Sequence, residues 1–506
     1  MLKSWEVVLN SCSYIAEEMG VVMRNTAFSP NIKDRLDMSA AITDCFGRLV
    51  AQAEHIPVHL GSMPIGVKNL ISCFKQIEEG DVLLTNDPYV AGTHANDVTM
   101  ASPVFFKGEI AGYVAIKAHY VDIGGCTPGS LSASATELCQ EGLVVPPVKL
   151  CEKASLKQEI LKIFSENSRT PVYVYADAMA QISALKVGVK RLKELFEARG
   201  EFVKQAWNEA LEYVRRYTKT LVSSLPKGRY RAEDYIELKE KDIAIRLELE
   251  VSDGIKLDYS KTHPQVDAPV NAVYGVTVSS SVFALKSALD PEMPVNSGFF
   301  DVVEIIAPEG CLLNPKKPAP VSAGNVETSQ RVADVVLNAL SQFLDLPAAS
   351  QGTMNNLMVG GKGWAFYETI GGGSGARPNE NGVSGVHTNM TNTLNTPIEV
   401  IESAYPMRVI RYELRENSGG VGKFRGGDGI IREIELLEDS VVTIVGERVR
   451  HAPWGVKGGK PGSCARYSVI VEGKEMLLDS KQTVRVPAHS VIRIMTPGGG
   501  GYGSPE

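Results

Sequence analysis

The sequence predicts an α+β fold with several mostly antiparallel sheets, a long helical segment and a glycine-rich β region at the C-terminal end. Three observations carry that expectation. Residues 177–221 ("DAMAQISALKVGVKRLKELFEARGEFVKQAWNEALEYVRRYTKTL") place apolar side chains at intervals of three and four, with the charges on the opposite face. Short apolar runs bounded by turn residues lie before and after that segment, as strands do. Glycines crowd residues 351–506, and no repeat with a period of about 20–50 residues is present, which argues against a solenoid or propeller. The mixture of elements also argues against a doubly wound parallel sheet.

Taken in order, residues 4–25 form the first predicted helix. In "DMSAAITDCFGRLVAQ" two short apolar runs flank "DCFG". There Asp44 and Gly47 suit the first and last positions of a type I turn, so a β-hairpin is expected. "SMPIGVKNLISCFKQI" returns to helical spacing, and "GDVLLTNDPY" reads as a strand ending in a turn. Two strands follow, over 98–106 and 110–121, joined by "KGE". Gly200 divides the long helical segment in two, a pair suited to a scaffold or a subunit interface. Beyond Pro226 the chain is strand-rich ("YIELKEKDIAIRLELEVSDGIKLDYS"), with helical stretches at "GVTVSSSVFALKSAL" and "SQRVADVVLNALSQFL". The expected boundaries are 1–175 for an α+β domain carrying the candidate metal site, 176–225 for the helical segment, 226–350 for a second α+β domain and 351–506 for a glycine-rich β domain.

Of 506 residues, 44% are hydrophobic and 22% charged, the balance of a soluble globular chain with ample core. A formal net charge of −7 leaves no broad basic surface, so nucleic-acid binding is not expected. The N-terminal stretch carries Glu6, Glu17 and Glu18 among apolar side chains, which reads as an amphipathic helix and not a signal peptide. No uncharged apolar run reaches the roughly 18 residues of a membrane span. The eight cysteines form no C-x-x-C pair, against a zinc ribbon or a disulfide framework. A cytoplasmic protein with reduced, buried thiols is expected.

None of three glycine loops carries a phosphate-binding fingerprint. A P-loop fails at "WGVKGGKPGS", where Trp454 stands in place of the first glycine and Pro461 follows Lys460. "GGVGKFRGG" puts Arg425 where a dinucleotide fingerprint needs its third glycine. "GGGSGA" (371–376) is followed by a polar loop and not by a helix. Tight turns and close backbone packing explain all three. If the chemistry uses ATP, this chain does not bind it alone.

Chemistry concentrates in "NDPYVAGTHANDVTM" and "KAHYVDIGG". A hairpin turn with Gly108 and Glu109 at its tip places His119 opposite Val98, and a turn shifted by one residue places it opposite Asn96. Either register brings His119 beside the loop carrying His94 and Asp97, with opposed Cβ atoms about 4.5–5.5 Å apart. Two neutral imidazole nitrogens and one anionic oxygen can hold zinc, manganese or iron and leave positions open for water or substrate. Asp122, at odd spacing from His119, points to the other face of a continuing strand. It is expected as a supporting carboxylate first and a ligand second. His55 and His59 flank Pro57, which favours an extended loop and a substrate-facing or structural role. His387 stands among Asn389, Asn392 and Thr393, groups able to bind an amide or urea edge or to satisfy their own polar loop. His263, His451 and His489 have no evident partner.

Six blocks, "NDPYVAGTHANDV", "AHYVDIGG", "TELCQEGLVVPPVKL", "HTNMTNTLNTPIEVIESAYPMRVIRYEL", "SGGVGKFRGGDG" and "TPGGGGYG", together resemble the hydantoinase B/oxoprolinase family. The resemblance runs from about residue 5 to 503. That family includes the B subunits of ATP-dependent hydantoinases, the C-terminal part of 5-oxoprolinase, the β subunit of caprolactamase and the α subunit of acetone carboxylase. It implies a division of labour. A hydantoinase A-type partner subunit binds ATP and phosphorylates an oxygen of the substrate, and the B-type subunit carries a divalent metal that handles the activated intermediate. The family's ligand positions match His94, Asp97 and His119, and an aspartate of its R-x-D-x-S block matches Asp37, as a further ligand or as a catalytic base. One departure is that Ala95-Asn96 stands where the resemblance implies Leu-Pro. The expected function is the metal-bearing subunit of an ATP-dependent cyclic amide hydrolase, working in a hetero-oligomer on a hydantoin, 5-oxoproline or lactam. His59, His387, Asn389 and Asn392 are the expected substrate contacts, and Asp37 and Asp122 the expected catalytic carboxylates. The alternatives are an acetone or acetophenone carboxylase-type subunit and a non-catalytic scaffold.

Overall fold

The structure, a computed structural model, describes residues 4–53, 56–239 and 241–505. It has the expected α+β character, with strands gathered into four mostly antiparallel sheets. Seven strands form the first sheet: β1 (Met38–Asp44), β2 (Leu49–Ala53), β3 (Val82–Thr85), β4 (Asp97–Phe106), β5 (Glu109–His119), β6 (Val148–Glu152) and β7 (Ser155–Leu156). Their order is β2-β1-β5-β4-β3-β6-β7. The β1–β2 hairpin turns as the sequence predicts, with the Gly47 amide donating to the Asp44 carbonyl at 3.1 Å. The Asp44 carboxylate holds the turn by accepting from the amides of Phe46 and Arg48, at 3.0 and 2.8 Å.

This sheet is covered on both faces, which is why its strands read as nearly continuous apolar runs. One face packs against helices Trp5–Thr26 and Pro171–Arg199, burying Met19, Met23, Ile182 and Leu185 with Val98, Met100, Ile116 and Ala118. Full burial of each such large side chain stabilises the fold by about 1.5–3 kcal/mol. The other face meets helix Ser62–Ser72 through Met63, Val67 and Leu70. Because side chains alternate along a strand, Asp97 and His119 fall on the opposite face from Val98 and Ala118.

The β4–β5 turn differs from expectation. Lys107 and Gly108 occupy its centre, with φ of 53° and 83°, the pattern of a two-residue hairpin turn with both central residues left-handed. Phe106 therefore faces Glu109, and Ala111 is an extra residue between the Phe105–Ile110 and Val104–Gly112 pairs. That bulge moves the register by one and sets His119 directly opposite Asp97, neither Val98 nor Asn96.

The long helical segment is two helices, Pro171–Arg199 and Phe202–Ser223, broken at Gly200, where φ is 61°. The second sheet orders Val303–Ile306, Ile255–Asp258, Lys241–Val251 and Gly228–Leu238, its first pair parallel and the others antiparallel. Helices Tyr274–Leu289 and Ser329–Ser341 pack together with it in one apolar cluster. The remaining two sheets draw their strands from residues 356–495. Beside them the glycine loops pack backbone against backbone, the role the sequence assigns them. A Cβ on Gly373 would stand 1.9 Å from the Gly427 carbonyl oxygen, and one on Gly499 would stand 1.9 Å from that of Ser374. All eight cysteines are free. Among the described residues, no helix is long and apolar enough to cross a membrane.

After β5 the chain turns through residues 120–130, and Asp122 holds that turn. Its carboxylate accepts from the amides of Gly124, Gly129 and Arg169 at 2.9, 3.0 and 2.9 Å, and from the Arg169 guanidinium at 3.0 Å. With these partners the side chain braces the loop, and Asp122 is not among the residues that line the cavity around His94, Asp97 and His119. Replacing Asp122 by alanine leaves buried donors unpaired and should cost about 3 kcal/mol. A clearly lower thermal midpoint in scanning calorimetry is the expected result. An unchanged midpoint would contradict the bracing role.

Candidate metal centre

Caps and hydrogen bonds fix the loop into β4. Asp87 caps the short helix Pro88–Ala91 through the Tyr89 amide, and Gly92 leaves that helix with φ of 81°. The buried Lys117 on β5 donates from Nζ to the Ala91 carbonyl at 2.8 Å, tying the strand of His119 to the loop of His94. Burial lowers the pKa of this ammonium to about 8. Asn96 donates from Nδ2 to the carbonyls of Tyr120 and Gly129 at 3.1 and 3.2 Å. Where the resemblance implies a stiff Leu-Pro pair, these bonds stiffen Ala95-Asn96 instead.

Three buried atoms meet at the start of the hairpin. His94 Nε2 lies 3.1 Å from Asp97 Oδ1 and 3.0 Å from His119 Nδ1, and His119 Nδ1 lies 3.2 Å from the same Asp97 oxygen. Nothing else among the described histidines, cysteines, aspartates and glutamates forms so tight a group, with ligand atoms all within 4.8 Å. The His94 tautomer follows from its other nitrogen. Nδ1 lies 3.2 Å from the Ser322 carbonyl, which can only accept, so Nδ1 carries a proton, and in the neutral ring Nε2 is the nitrogen whose lone pair faces the cluster. Glu141 fixes Ser322 in turn, accepting from the amides of Val321 and Ser322 at 3.0 and 2.9 Å, and burial pushes its pKa up to about 7.

Asp97 is held on both oxygens. His59 Nε2 approaches Oδ2 at 3.4 Å while its Nδ1 meets Ser39 Oγ at 2.9 Å, leaving Oδ1 for the cluster. Burial opposes ionisation of Asp97, but His94, His119 and His59 outweigh it and hold the carboxyl well below its usual range. Burial lowers the pKa of His59 despite Asp97, whereas at His94 the carboxylate and the Ser322 carbonyl overcome burial and raise it. His119 stacks on Tyr367 with ring centres 4.9 Å apart, and its Nε2 is enclosed without a hydrogen-bond partner among the described residues. Arg35 lies over the other ring of that stack, 4.7 Å from the Tyr367 centre. Ligand distances of about 2.0–2.2 Å put neighbouring donor atoms roughly 3–3.4 Å apart, so the triangle fits one face of a divalent cation's coordination shell.

The surrounding cavity has a volume of about 20 Å³, room for a single water or ion. Asp37 lines it, outside the tight cluster, as do His59, Asn325, Met354, Tyr367, Thr369, Thr391 and Thr393. The other expected substrate contacts lie elsewhere. Asn392 is exposed, and the residues on either side of it in this extended segment, Thr391 and Thr393, face the cavity instead. Asn389 donates to Asp334 at 3.0 Å, joining a buried ionic group of Asp334 with Arg331 and Arg448. His387 is half-buried outside the lining, its pKa lowered to about 4 by burial and by Arg35. His55 falls outside the described residues. His263, His451 and His489 have local partners in the Pro264 carbonyl, Asp242 and Glu435. Sequence reasoning missed Ser322, Glu141 and Asn325. Only Glu141 lay in a quoted block, and no spacing rule links positions so far apart.

Comparison with known proteins places this arrangement in context. An uncharacterized protein of Methanocaldococcus jannaschii is 53% identical over 99% of this chain and 90% of its own length. 5-Oxoprolinase 1 of Arabidopsis thaliana is 39% identical over 97% of this chain, which spans only 41% of that longer protein. Among solved structures, an ATP-dependent caprolactamase from Pseudomonas jessenii superposes with a TM-score of 0.93 at 28% identity, over 99% of this chain and 90% of that one. The family model described as hydantoinase B/oxoprolinase matches residues 3–505, and the chain belongs to that family.

Proposed function

We propose that this chain is the metal-bearing subunit of an ATP-dependent cyclic amide hydrolase, acting on a substrate phosphorylated by a hydantoinase A-type partner. The observation that carries the reading is the His94–Asp97–His119 triangle, with the His94 lone pair aimed inward by the Ser322 carbonyl. The names of a caprolactamase and a 5-oxoprolinase among its relatives support the substrate class. The failed phosphate fingerprints support placing ATP on another chain.

An amide resists attack because its nitrogen donates into the carbonyl. Phosphorylation of the carbonyl oxygen withdraws that electron density and makes the carbon attackable. Water then adds to the carbon, the ring C–N bond breaks with a proton going to nitrogen, and a second water hydrolyses the resulting acyl phosphate. A divalent cation held by His94, Asp97 and His119 would supply water activation at neutral pH. Around it, His59 and Ser39 hold Asp97 in one orientation, and Tyr367 holds the His119 ring. Asp37, lining the same cavity, is the carboxylate that takes the proton from the attacking water.

His94→Ala and His119→Ala should each purify without stoichiometric divalent metal and lose ATP-coupled turnover in the reconstituted complex. Metal and turnover both surviving would end the proposal. Asp37→Asn should keep its metal while kcat falls about 10²–10⁴-fold, and loss of metal instead would make Asp37 a fourth ligand. Turnover is read on hydantoin, 5-oxoproline and caprolactam. ATP hydrolysis that depends on bicarbonate and a ketone would replace the hydrolase reading with a carboxylase.

A further inference from the structure

We infer that Asn325 recognises the substrate before its oxygen is phosphorylated, and that what it recognises is the cis-amide edge of a ring. This rests on the cyclic-amide reading of the site and adds the group that would select for it. Asn325 is 4% exposed and lines the same cavity as His94, Asp97 and His119. Its Oδ1 is enclosed without a hydrogen-bond partner among the described residues. Buried polar atoms are normally paired, and an unpaired one in the wall of a candidate active site asks for a ligand.

The backbone around Asn325 is built to hold it there. Residues Gly324–Thr328 form one turn of π-helix, a local widening that often occurs at functional sites. Gly324 donates to the Pro269 carbonyl at 2.9 Å, and a Cβ at this position would stand 1.8 Å from the Asn271 carbonyl oxygen. On the far side, the buried Glu327 accepts from the Met354 amide at 3.1 Å and from Asn356 Nδ2 at 2.7 Å. On the near side, Glu141 clamps Val321 and Ser322, and the Ser322 carbonyl receives His94. Asn325 thus lies three residues from the group that orients a ligand of the candidate centre, with anchors before and after it.

The chemistry of the side chain sets what it can select. A carboxamide presents an acceptor and a donor on one edge. A small lactam ring forces its amide to be cis, so its N–H and C=O also share one edge, and the two edges pair through two parallel hydrogen bonds. An open-chain secondary amide is trans, with a cis form too costly to populate, and offers one group at a time. A ketone lacks the N–H. The single hydroxyls of Thr391 and Thr393, on the same cavity, cannot make this distinction.

The experiment is titration calorimetry on the metal-loaded full chain with 2-pyrrolidone, N-methyl-2-pyrrolidone and N-methylacetamide. The wild type should bind 2-pyrrolidone about tenfold or more tighter than either of the others. Asn325→Ala should erase that preference while its metal content stays unchanged. Equal binding of 2-pyrrolidone and its N-methyl analogue, no binding of 2-pyrrolidone, or an intact preference in the variant would each overturn the inference. If the alanine variant does not fold, Asn325→Asp, which keeps the size and loses the amide donor, should lose the preference in the same titration, and an intact preference there would overturn the inference. Preference without ATP-coupled ring opening in the complex would sink the hydrolase reading and leave Asn325 standing. Turnover that accepts the N-methyl ring equally would sink the role of Asn325 alone.

Discussion

The pairing of Asp97 with His119 across the β4–β5 ladder sets the geometry on which the rest of the candidate centre depends. A side chain in a sheet faces whatever its register gives it, and a slip of one residue turns it to the other face. The extra residue Ala111 supplies the slip that brings the carboxylate and imidazole together on the face away from the long helices. His94 then enters from the preceding loop, which the bonds of Lys117 and Asn96 hold against the strands. The cluster is assembled from only 23 positions of chain, Asp97 to His119, plus the loop before them. Its orientation comes from far away, through the Ser322 carbonyl 228 residues later.

That division explains what the sequence shows and what it hides. The convergence of His94, Asp97 and His119 is legible because a tight hairpin ties sequence distance to spatial distance. The remaining error of one position comes from a bulge at Ala111, and nothing in "GEIAGYV" marks which residue is extra. The helices over 171–223 are legible from their periodicity, and so is the break at Gly200. Alternation along the segment after His387 leaves two possible faces. The sequence names Asn392 and Thr393 together as possible contacts, and in the structure Thr391 and Thr393 face the cavity while Asn392 is exposed. The odd spacing of Asp122 from His119 pointed to a supporting carboxylate, but not to the group it supports. The decisive fact is Arg169, which meets it only once the following helical region has folded back.

The buried carboxylates show the same contrast between local and long-range causes. Asp97 is ionised because three histidines surround it, whereas Glu141 and Glu327 are pushed up to about 7 and 8, chiefly by burial. Their task is to receive backbone and amide N–H groups, which they do at both ends of the segment 321–328. The segment carrying Ser322 and Asn325 is therefore held by hydrogen bonds to three distant parts of the chain. A π-turn stores little stability of its own, so its persistence depends on those anchors.

The walls of the cavity differ in how firmly they are built. β4 and β5 are continuous ladder, and residues 321–328 are clamped at both ends. Residues 388–397, which bring Thr391 and Thr393, contain neither helix nor strand and are tied across the cavity by the Thr369–Thr393 hydroxyl pair at 2.6 Å. A cavity of about 20 Å³ cannot admit a lactam ring as it stands, so on the proposed function one wall must move. The 388–397 side has few backbone ties to the rest of the chain, Leu394 N–H to the Arg35 carbonyl and Thr396 N–H to Glu368 among them. On that function it is therefore the side to open. The ligands and Asn325 would then form a fixed floor beneath a movable roof. Such a roof can shield an activated intermediate from bulk water without disturbing the groups that act on it.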